Sequence, residues 1–214
     1  MPPTRLRRAL GGAGATALLL TAAASAPALA PAPAPAKPDA VPCARLLRPS
    51  ATYRAYDHTF TTDAAGRPVE AVARILVDRD APRGSCEGAV GDWGGRGDWQ
   101  GGHLIAASFR GVSMRYNLVP MRGRQINQGL MKRVENGARD CLEDGGEVRD
   151  YRVRLHYPNG TTLTPDTIRV SLKVASRLVT VILPNRTLSA KELRSRQDGL
   201  TAAFAAAPCG RDGA

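Results

Sequence analysis

The stretch that decides the fold reads GGHLIAASF over residues 101–109, continues as YNLVPM over 116–121 and ends with INQGLMKRVE over 126–135. The first two runs are short and apolar, and in the third the apolar residues recur at three- and four-residue spacing. This pattern predicts two short strands followed by a helix that Gly145 and Gly146 terminate. His103 follows two glycines, which predict a tight backbone turn that brings a substrate close.

Alternating and helical patterns flank this stretch on both sides. Further strands are predicted at residues 53–61, 69–77, 148–157, 168–174 and 178–183. The first two form a predicted β-hairpin, and residues 78–101 form a predicted loop of a length that is usually functional or disordered. Ser189, with Glu192 three residues later, is typical of the start of a helix that runs to residue 206. The expected fold is α+β, with an antiparallel sheet and flanking helices.

The first 36 residues are typical of an export signal and a spacer. Arg5, Arg7 and Arg8 precede an apolar stretch at residues 9–24, and residues 28–30 form a small-x-small cleavage pattern. The alternatives are a membrane anchor, for which the stretch is diluted by glycines, and other cleavage points before residue 36. We expect a secreted chain without membrane attachment once the signal is removed, and a single domain over residues 37–214.

Net charge and cysteine content limit which partners and which cellular compartment are expected. The chain of 214 residues has a net charge of +11, and removing residues 1–36 leaves +8, which favours a polyanionic partner. Export permits disulfides, and four cysteines allow three pairings. We predict Cys43 with Cys86 and Cys141 with Cys209, because each pair fastens a terminal segment to the domain; buried, reduced thiols are the alternative.

Only three histidines are available for acid–base chemistry. His58 and His156 lie in alternating strands without an evident partner and are expected to be ordinary strand residues. His103 lies between two glycines and an apolar run that would fix its ring. An imidazole with a pKa near neutrality suits the removal of a proton from water. Taken alone, however, a histidine after glycines is more often structural.

The central stretch resembles the DNA/RNA non-specific endonucleases of the ββα-metal, or His-Me finger, class. Its elements occur in the family's order: the Gly-Gly-His-Leu-Ile run at residues 101–105, the strand with Asn117, and Asn127 with Glu135 eight residues later. The resemblance extends over about residues 53–174 and includes the hairpin at 61–67, which is similar to the secreted and polymorphic-toxin branch. It implies a ββα-metal nuclease core.

The resemblance also implies a role for each residue. His103 becomes the general base, Asn127 the protein ligand of one divalent cation, Asn117 an orienting group and Glu135 a water-mediated support. The implied metal is Mg²⁺, with Mn²⁺ as an alternative, because one neutral amide leaves a hard cation with several waters and phosphate oxygens. Taken singly, Asn127 is equally typical of a helix N-cap, Glu135 of a solvated helix residue and Asn117 of a strand edge.

Phosphate binding is the weakest part of the resemblance. Many members carry Asp-Arg directly before Gly-His, whereas this chain has Gln100-Gly101. Arg96, Arg110 or Arg115 are candidates for the missing charge. Lys132 and Arg133, together with Arg122 and Arg124, are candidates for contacts along the nucleic acid backbone, the alternative being a solvated basic surface. Trp93 and Trp99 either stack on bases or anchor the long loop.

These inferences predict a secreted, Mg²⁺-dependent endonuclease that hydrolyses the phosphodiester bonds of DNA and RNA without sequence or sugar specificity. The first alternative is a catalytically weakened protein that binds extracellular nucleic acid or another polyanion. The second is a toxin domain restrained by an immunity protein. Metalloprotease and serine hydrolase motifs do not occur in the sequence, and the cysteines lack zinc-site spacing.

Overall fold

The computed structural model describes residues 37–207 and 209. The predicted export signal and spacer lie outside the described residues. In chain order the elements are β1 (Thr52–Ala55), β2 (His58–Thr62), β3 (Pro68–Ile75), α1 (Cys86–Asp92), β4 (Trp99–His103), β5 (Leu118–Arg122), α2 (Lys132–Glu143), β6 (Val148–His156), β7 (Thr167–Val174), β8 (Arg177–Pro184) and α3 (Ala190–Ala205). A 3₁₀ turn, Arg115–Asn117, precedes β5, and a π-helical segment, Gly123–Met131, leads directly into α2.

Six strands form one antiparallel sheet in the order β1-β2-β3-β6-β7-β8, and β4 pairs with β5 in a separate antiparallel hairpin. The chain therefore leaves the sheet after β3, builds the β4-β5-α2 unit, and returns to pair β6 with β3. This arrangement confirms the predicted α+β class with an antiparallel sheet.

The core lies between the inner face of the sheet and the β4-β5-α2 unit. Tyr151 and Val153 point inward from β6 because side chains alternate along a strand, and both are fully buried. From the other side Val134, Ala138 and Cys141 are buried at helical spacing on α2. Burial of each large apolar side chain contributes about 1.5–3 kcal/mol, so the unit that carries the predicted site is fastened to the sheet by packing.

Both predicted disulfides are present. Cys43 is bonded to Cys86 at the first residue of α1, and Cys141 of α2 to Cys209 beyond α3. The N-cap of α3 is also as expected, with Ser189 accepting a hydrogen bond from the backbone NH of Glu192.

In residues 37–207 and 209, every helix is too short or too polar to span a bilayer.

Three local expectations are wrong. Residues 53–61 form two strands rather than one, because Tyr56 takes a left-handed backbone conformation (φ 53°) and the chain turns before β2. The predicted loop at 78–101 contains α1, which has little apolar periodicity and two internal glycines and is held by the disulfide and by packing on β4. The apolar run after His103 is a buried loop, since β4 ends at His103.

The start of the predicted helix also differs. The helical segment begins at Gly123, so Asn127 lies inside it and not at its N-cap. Its first two turns are π-helical, a wider form that is rare and occurs often at functional sites. The N-cap interpretation of Asn127 is therefore excluded.

Candidate active site

A cleft of about 920 Å³ opens between α1, β4 and the α2 segment. Its lining includes three of the residues singled out from the sequence for catalysis or metal binding, His103, Asn127 and Glu135, and also the proposed phosphate ligand Lys132. Residues from the strand, the π-helical segment and α2 thus meet in one concave site. Sites of this shape, with few convergent polar groups, are where ligands bind in most proteins.

The two glycines before His103 permit close packing and do not make a turn. Both lie in β4, and a Cβ at Gly101 would meet the carbonyl oxygen of Glu87 at 2.2 Å, so α1 can rest directly on the strand. A Cβ at Gly102 would lie 2.9 Å from Oδ1 of Asn127. The pair therefore lets α1 and Asn127 approach the backbone of β4 directly before His103.

The amide of Asn127 is oriented by Gln100. Asn127 Nδ2 donates a 2.8 Å hydrogen bond to Oε1 of Gln100, which leaves Oδ1 of Asn127 free on the side of Gly102. Gln100 occupies the position at which the sequence departs from the family pattern. Here Gln100 orients the predicted metal ligand, Asn127, so that Oδ1 of Asn127 is available. An oxygen atom is the ligand that a hard cation requires.

His103 is held by a short polar relay. Ser113 donates a 2.6 Å hydrogen bond to Oε1 of Glu87, and its oxygen lies 3.3 Å from Nε2 of His103. Because a hydroxyl has one proton, the serine oxygen must accept from Nε2–H of the histidine. Nε2 also lies 3.7 Å from Oε1 of Glu87. This arrangement places the proton of the neutral ring on Nε2 and leaves Nδ1 as the basic nitrogen.

The ring of His103 is nearly sealed by protein, which decides its charge. Burial lowers its pKa to about 4, although the Glu87 carboxylate raises it; Arg83 lowers it further. The histidine is therefore neutral near pH 7, the state that a proton acceptor needs.

Glu135 is half-buried on the first turns of α2. Burial raises its pKa to about 7, while the positive charges of Lys132, Arg139 and Arg83 lower it. A carboxylate held in this way is poorly hydrated by solvent and gains more than an exposed one from a nearby cation. It lines the same cleft as Asn127.

Asn117 is fully buried behind the cleft and fastens the loop that follows His103. Its side-chain oxygen accepts from the backbone NH of Ile105 at 2.9 Å, and its Nδ2 donates to the carbonyl oxygens of Ile105 and Val112, both at 3.0 Å. It does not line the cleft. Its predicted orienting role is thus compatible with its position, acting through the backbone at either end of the loop that carries Ser113.

The basic residues predicted to bind substrate divide into two groups. Lys132 is exposed and lines the cleft. Arg115 lies elsewhere: it is fully buried, its guanidinium donates to the carbonyl oxygens of Leu118 and Arg45, and a phosphate has no access to it. Arg110 is half-buried outside the cleft, with its guanidinium 5.3 Å from the centre of the Tyr56 ring.

Arg133 lines a second cavity, between α2 and α3, and not the cleft. The positive charges that do line the cleft beside Lys132 are Arg83 and Arg139, and neither was among the predicted substrate-binding residues. Arg139 follows Glu135 by four residues and Lys132 by seven, so helical periodicity would have identified it. No sequence pattern identifies Arg83, Glu87 and Ser113, by contrast, because only the fold brings them close to His103.

The other two histidines have partners that the sequence did not reveal. His58 is buried with Nε2 2.7 Å from the carbonyl oxygen of Phe109, and burial lowers its pKa. His156 is exposed and lies 2.7 Å from Asp166. Both lie outside the cleft, which leaves His103 as the histidine of the site in the described residues. No cluster of three or more His, Cys, Asp or Glu side chains suited to a metal occurs within residues 37–207 and 209.

Comparisons with known proteins identify the family and the fold of the chain. The sequence model of the DNA/RNA non-specific endonuclease family matches residues 49–176. Among solved structures, the chain is similar to NucA from Streptococcus agalactiae with a magnesium ion bound, at 23% identity over 67% of this chain and 76% of that one, with a TM-score of 0.52. The same nuclease without metal gives 25% identity over 64% and 72%, with a TM-score of 0.48.

No sequence among curated proteins matches the chain significantly. The family match covers more than half of the chain and spans β1 to β7, including every residue of the cleft named above. The predicted resemblance is therefore confirmed, and the chain belongs to the DNA/RNA non-specific endonuclease family.

Proposed function

We propose that the protein is a divalent-metal-dependent endonuclease that hydrolyses DNA and RNA with His103 as general base. The observation that carries the proposal is the convergence of His103 and Asn127 on one cleft, with a neutral imidazole on β4 and an oriented amide oxygen on the π-helical segment. A base and a cation ligand on the same cleft are the two components that hydrolysis of a phosphodiester needs.

The relay through Ser113 supports Nδ1 of His103 as the proton acceptor. Nε2 is committed to Ser113, and no protein group among the described residues bonds to Nδ1. Nδ1 of His58, in contrast, is sealed from solvent without a partner. A water molecule in the cleft can therefore give its proton to Nδ1 of His103, and the resulting imidazolium is stabilised by the carboxylate of Glu87 behind the serine.

The residues of the cleft fit a Mg²⁺ or Mn²⁺ ion. Asn127 would supply the direct ligand through Oδ1, and Glu135 would hold its water shell. One amide oxygen is a sparse set of protein ligands, which suits a cation that keeps several waters and takes phosphate oxygens. When bound, such a cation supplies Lewis-acid stabilisation of the negative charge on the phosphate and on the leaving oxygen. The magnesium ion in the NucA structure supports this assignment.

Substrate phosphates would be bound by Lys132, Arg139 and Arg83. These three cations line the cleft around the proposed reacting position, and contacts to phosphates carry no sequence information. Arg139 is the best fixed of them, because it donates a 2.8 Å hydrogen bond to Ser108. These residues take over the role that the missing arginine before Gly-His has in other members.

We further propose that the protein acts outside the cell after removal of an N-terminal signal. Two disulfides within one domain support an oxidising environment. The remainder, residues 37–214, would be a single endonuclease domain. An immunity or inhibitor protein stays an expectation from the resemblance to the toxin-like branch.

The test is digestion of plasmid DNA and of RNA by the purified protein with Mg²⁺, with Mn²⁺ and with EDTA. We expect His103→Ala to lose about 10²–10⁴ of kcat, Asn127→Ala to lose activity with a raised metal requirement, and EDTA to abolish cleavage. His156→Ala is the matched control, since it removes an exposed histidine outside the cleft.

Equal turnover by the wild type and His103→Ala would end the assignment of the base. Tight DNA binding by a wild type that fails to cleave with either metal would favour the alternative of a weakened polyanion-binding protein.

A further inference from the structure

The outer face of the six-stranded sheet carries an unusual density of positive charge. Residues alternate along each strand, so the partners of the buried inward residues point away from the core and from the cleft. Together, seven basic residues with outward positions define the outer basic face: Arg54, Arg74, Arg149, Arg152, Arg154, Arg169 and Lys173. The proposed hydrolysis uses none of them.

Like charges lie directly opposite each other in this face. Arg154 on β6 is the register partner of Arg169 on β7, and Arg149 is the register partner of Lys173. Directly opposed like charges destabilise a sheet. Two such pairs lie between the same two strands and lower the stability of the sheet. Packing of the core does not explain them, because all four side chains are exposed.

The acidic residues nearby neutralise only part of this charge. Glu70 serves both Arg152 and Arg154, at 2.6 and 2.7 Å, and Asp150 pairs with Lys173 at 2.8 Å. Arg149 pairs with Glu147. Within residues 37–207, no carboxylate lies within ion-pairing distance of Arg74 or Arg169, so the face keeps two unneutralised guanidinium groups, one on β3 and one on β7.

Exposed apolar side chains also occur on these strands, Ile75 on β3 and Leu178 and Ile182 on β8, and the polar side chains between the arginines indicate the class of ligand. Hydroxyl groups of Thr59, Thr61 and Ser171 lie on outward positions between the arginines, and arginine and hydroxyl side chains are the usual donors to nucleic acid phosphates. The described outward positions of the six strands hold no Phe, Tyr or Trp, so stacking on unpaired bases has no platform there. The chemistry fits a phosphate backbone and not the bases.

We propose that the outer basic face is a second nucleic-acid-binding surface that holds the phosphate backbone of a long substrate at a segment distant from the bond being cut. The core separates this face from the cleft: on β6, Tyr151 points inward and donates to the carbonyl oxygen of Leu104, beside His103, while its neighbours Arg152 and Arg154 point outward. Binding at the face raises the effective concentration of further phosphodiester bonds at the cleft.

The test compares two double variants with the same change of charge, each in a His103→Ala background that binds without cutting. Arg74→Gln with Arg169→Gln removes the two unpaired arginines of the face. Lys191→Gln with Arg194→Gln removes two exposed cations from α3 and is the matched control. Affinity for a duplex of several hundred base pairs is measured as a function of salt.

The face variant is expected to bind on the order of tenfold more weakly at low salt, with a slope of log K against log salt reduced by about 1.8, because each lost phosphate contact removes about 0.9. The control is expected to keep the slope of its parent. Equal slopes in the two double variants would overturn the proposal. A second result would also overturn it. The parent would bind a sulfated polysaccharide or an anionic vesicle more tightly than DNA, and only the face variant would lose this preference.

A second measurement uses the same substitutions with His103 intact. Turnover of a dinucleotide, which is too short to reach both surfaces, is expected to be unchanged, while cleavage of long DNA at low enzyme concentration slows. A loss of dinucleotide turnover would overturn the proposal by showing that the arginines act on the cleft. The binding assay does not require hydrolysis, so failure of the proposed chemistry and failure of this surface give different results.

Discussion

Ser113 links His103 to Glu87: its hydroxyl donates to the carboxylate at 2.6 Å and its oxygen lies 3.3 Å from Nε2 of the imidazole. The charge of Glu87 raises the pKa of His103 against the effect of burial. The relay would therefore act on the proposed base in two ways, by fixing which nitrogen carries the proton and by stabilising the imidazolium.

Glu87→Gln separates these two effects. A glutamine still accepts from Ser113 but has no charge, so the pKa of His103 falls below about 4 and the acid limb of kcat/KM moves to lower pH. Ser113→Ala instead breaks the link and is expected to lower kcat about ten- to a hundredfold with little change in KM. A pH profile of Glu87→Gln that superimposes on that of Glu143→Gln, a change at an exposed α2 residue, would contradict the charge effect.

Gly102→Ala tests the approach of Asn127 to β4. The added methyl group would lie 2.3 Å from Sδ of Met121 and 2.9 Å from Oδ1 of Asn127, so the amide must shift. We expect kcat/KM to fall on the order of 10²-fold and the apparent Kd for Mg²⁺ to rise.

Gly88→Ala provides the control for Gly102→Ala, because Gly88 also lines the cleft but an added Cβ there has no heavy atom within 4 Å. It should retain activity and stabilise α1 by up to about 1 kcal/mol. Similar losses in both variants would show that the cleft tolerates no methyl group anywhere and would remove the argument for Gly102.

Glu135 predicts how the stability of the metal-free protein depends on pH. Burial raises its pKa from 4.5 to about 7, so between these values the folded chain holds a proton that the unfolded chain has released. Folding is therefore favoured at low pH, and the free energy of unfolding should fall by roughly 1–3 kcal/mol as the pH rises through this window.

Glu135→Gln cannot ionise and should lack this decline in denaturant unfolding measured from pH 5 to pH 8. Glu143→Gln, an exposed change on the same helix, should follow the wild type. A decline that persists in Glu135→Gln would assign it to other groups.

The disulfide between Cys43 and Cys86 would connect stability to the proposed catalysis. Cys86 begins α1 and is adjacent to Glu87, so the bond fixes the carboxylate end of the relay. Replacing both cysteines with serine removes a crosslink between residues 43 apart, worth roughly 4 kcal/mol by loop entropy. We also expect kcat to fall at temperatures at which the variant is folded.

The other disulfide gives a matched control. It joins residues 68 apart, so its loss should cost a similar free energy, but it fastens α2 to the segment after α3 and not to α1. The Cys141→Ser, Cys209→Ser variant should therefore lose stability with a smaller loss of kcat. Equal losses of kcat in the two variants would contradict the local role of Cys86.

The sequence predicted the parts of the fold that local patterns determine. The strands β6, β7 and β8 alternate clearly, and the α3 cap is a four-residue motif, so both were confirmed. The motif order around His103, Asn127 and Glu135 identified the family. These features depend on residues close together in the chain, or on a spacing that the family fixes.

The missed features depend on contacts between distant residues. The α1 helix has too little apolar periodicity to be recognised, and Glu87 and Ser113 are 26 residues apart. The π-helical turns around Asn127 differ from an α-helix in hydrogen bonding, which residue spacing does not reveal. Arg115 was misassigned because the sequence alone does not distinguish a fully buried arginine that donates to carbonyl oxygens from an exposed one.

Because Cys86 is adjacent to Glu87, the thiol state of the chain would affect the proposed catalysis. A newly made copy whose thiols are still free lacks the covalent hold on the helix that carries Glu87. Such a copy would have a loosely held relay and a poorly oriented imidazole. A reduced chain would therefore cleave nucleic acid more slowly than the oxidised chain.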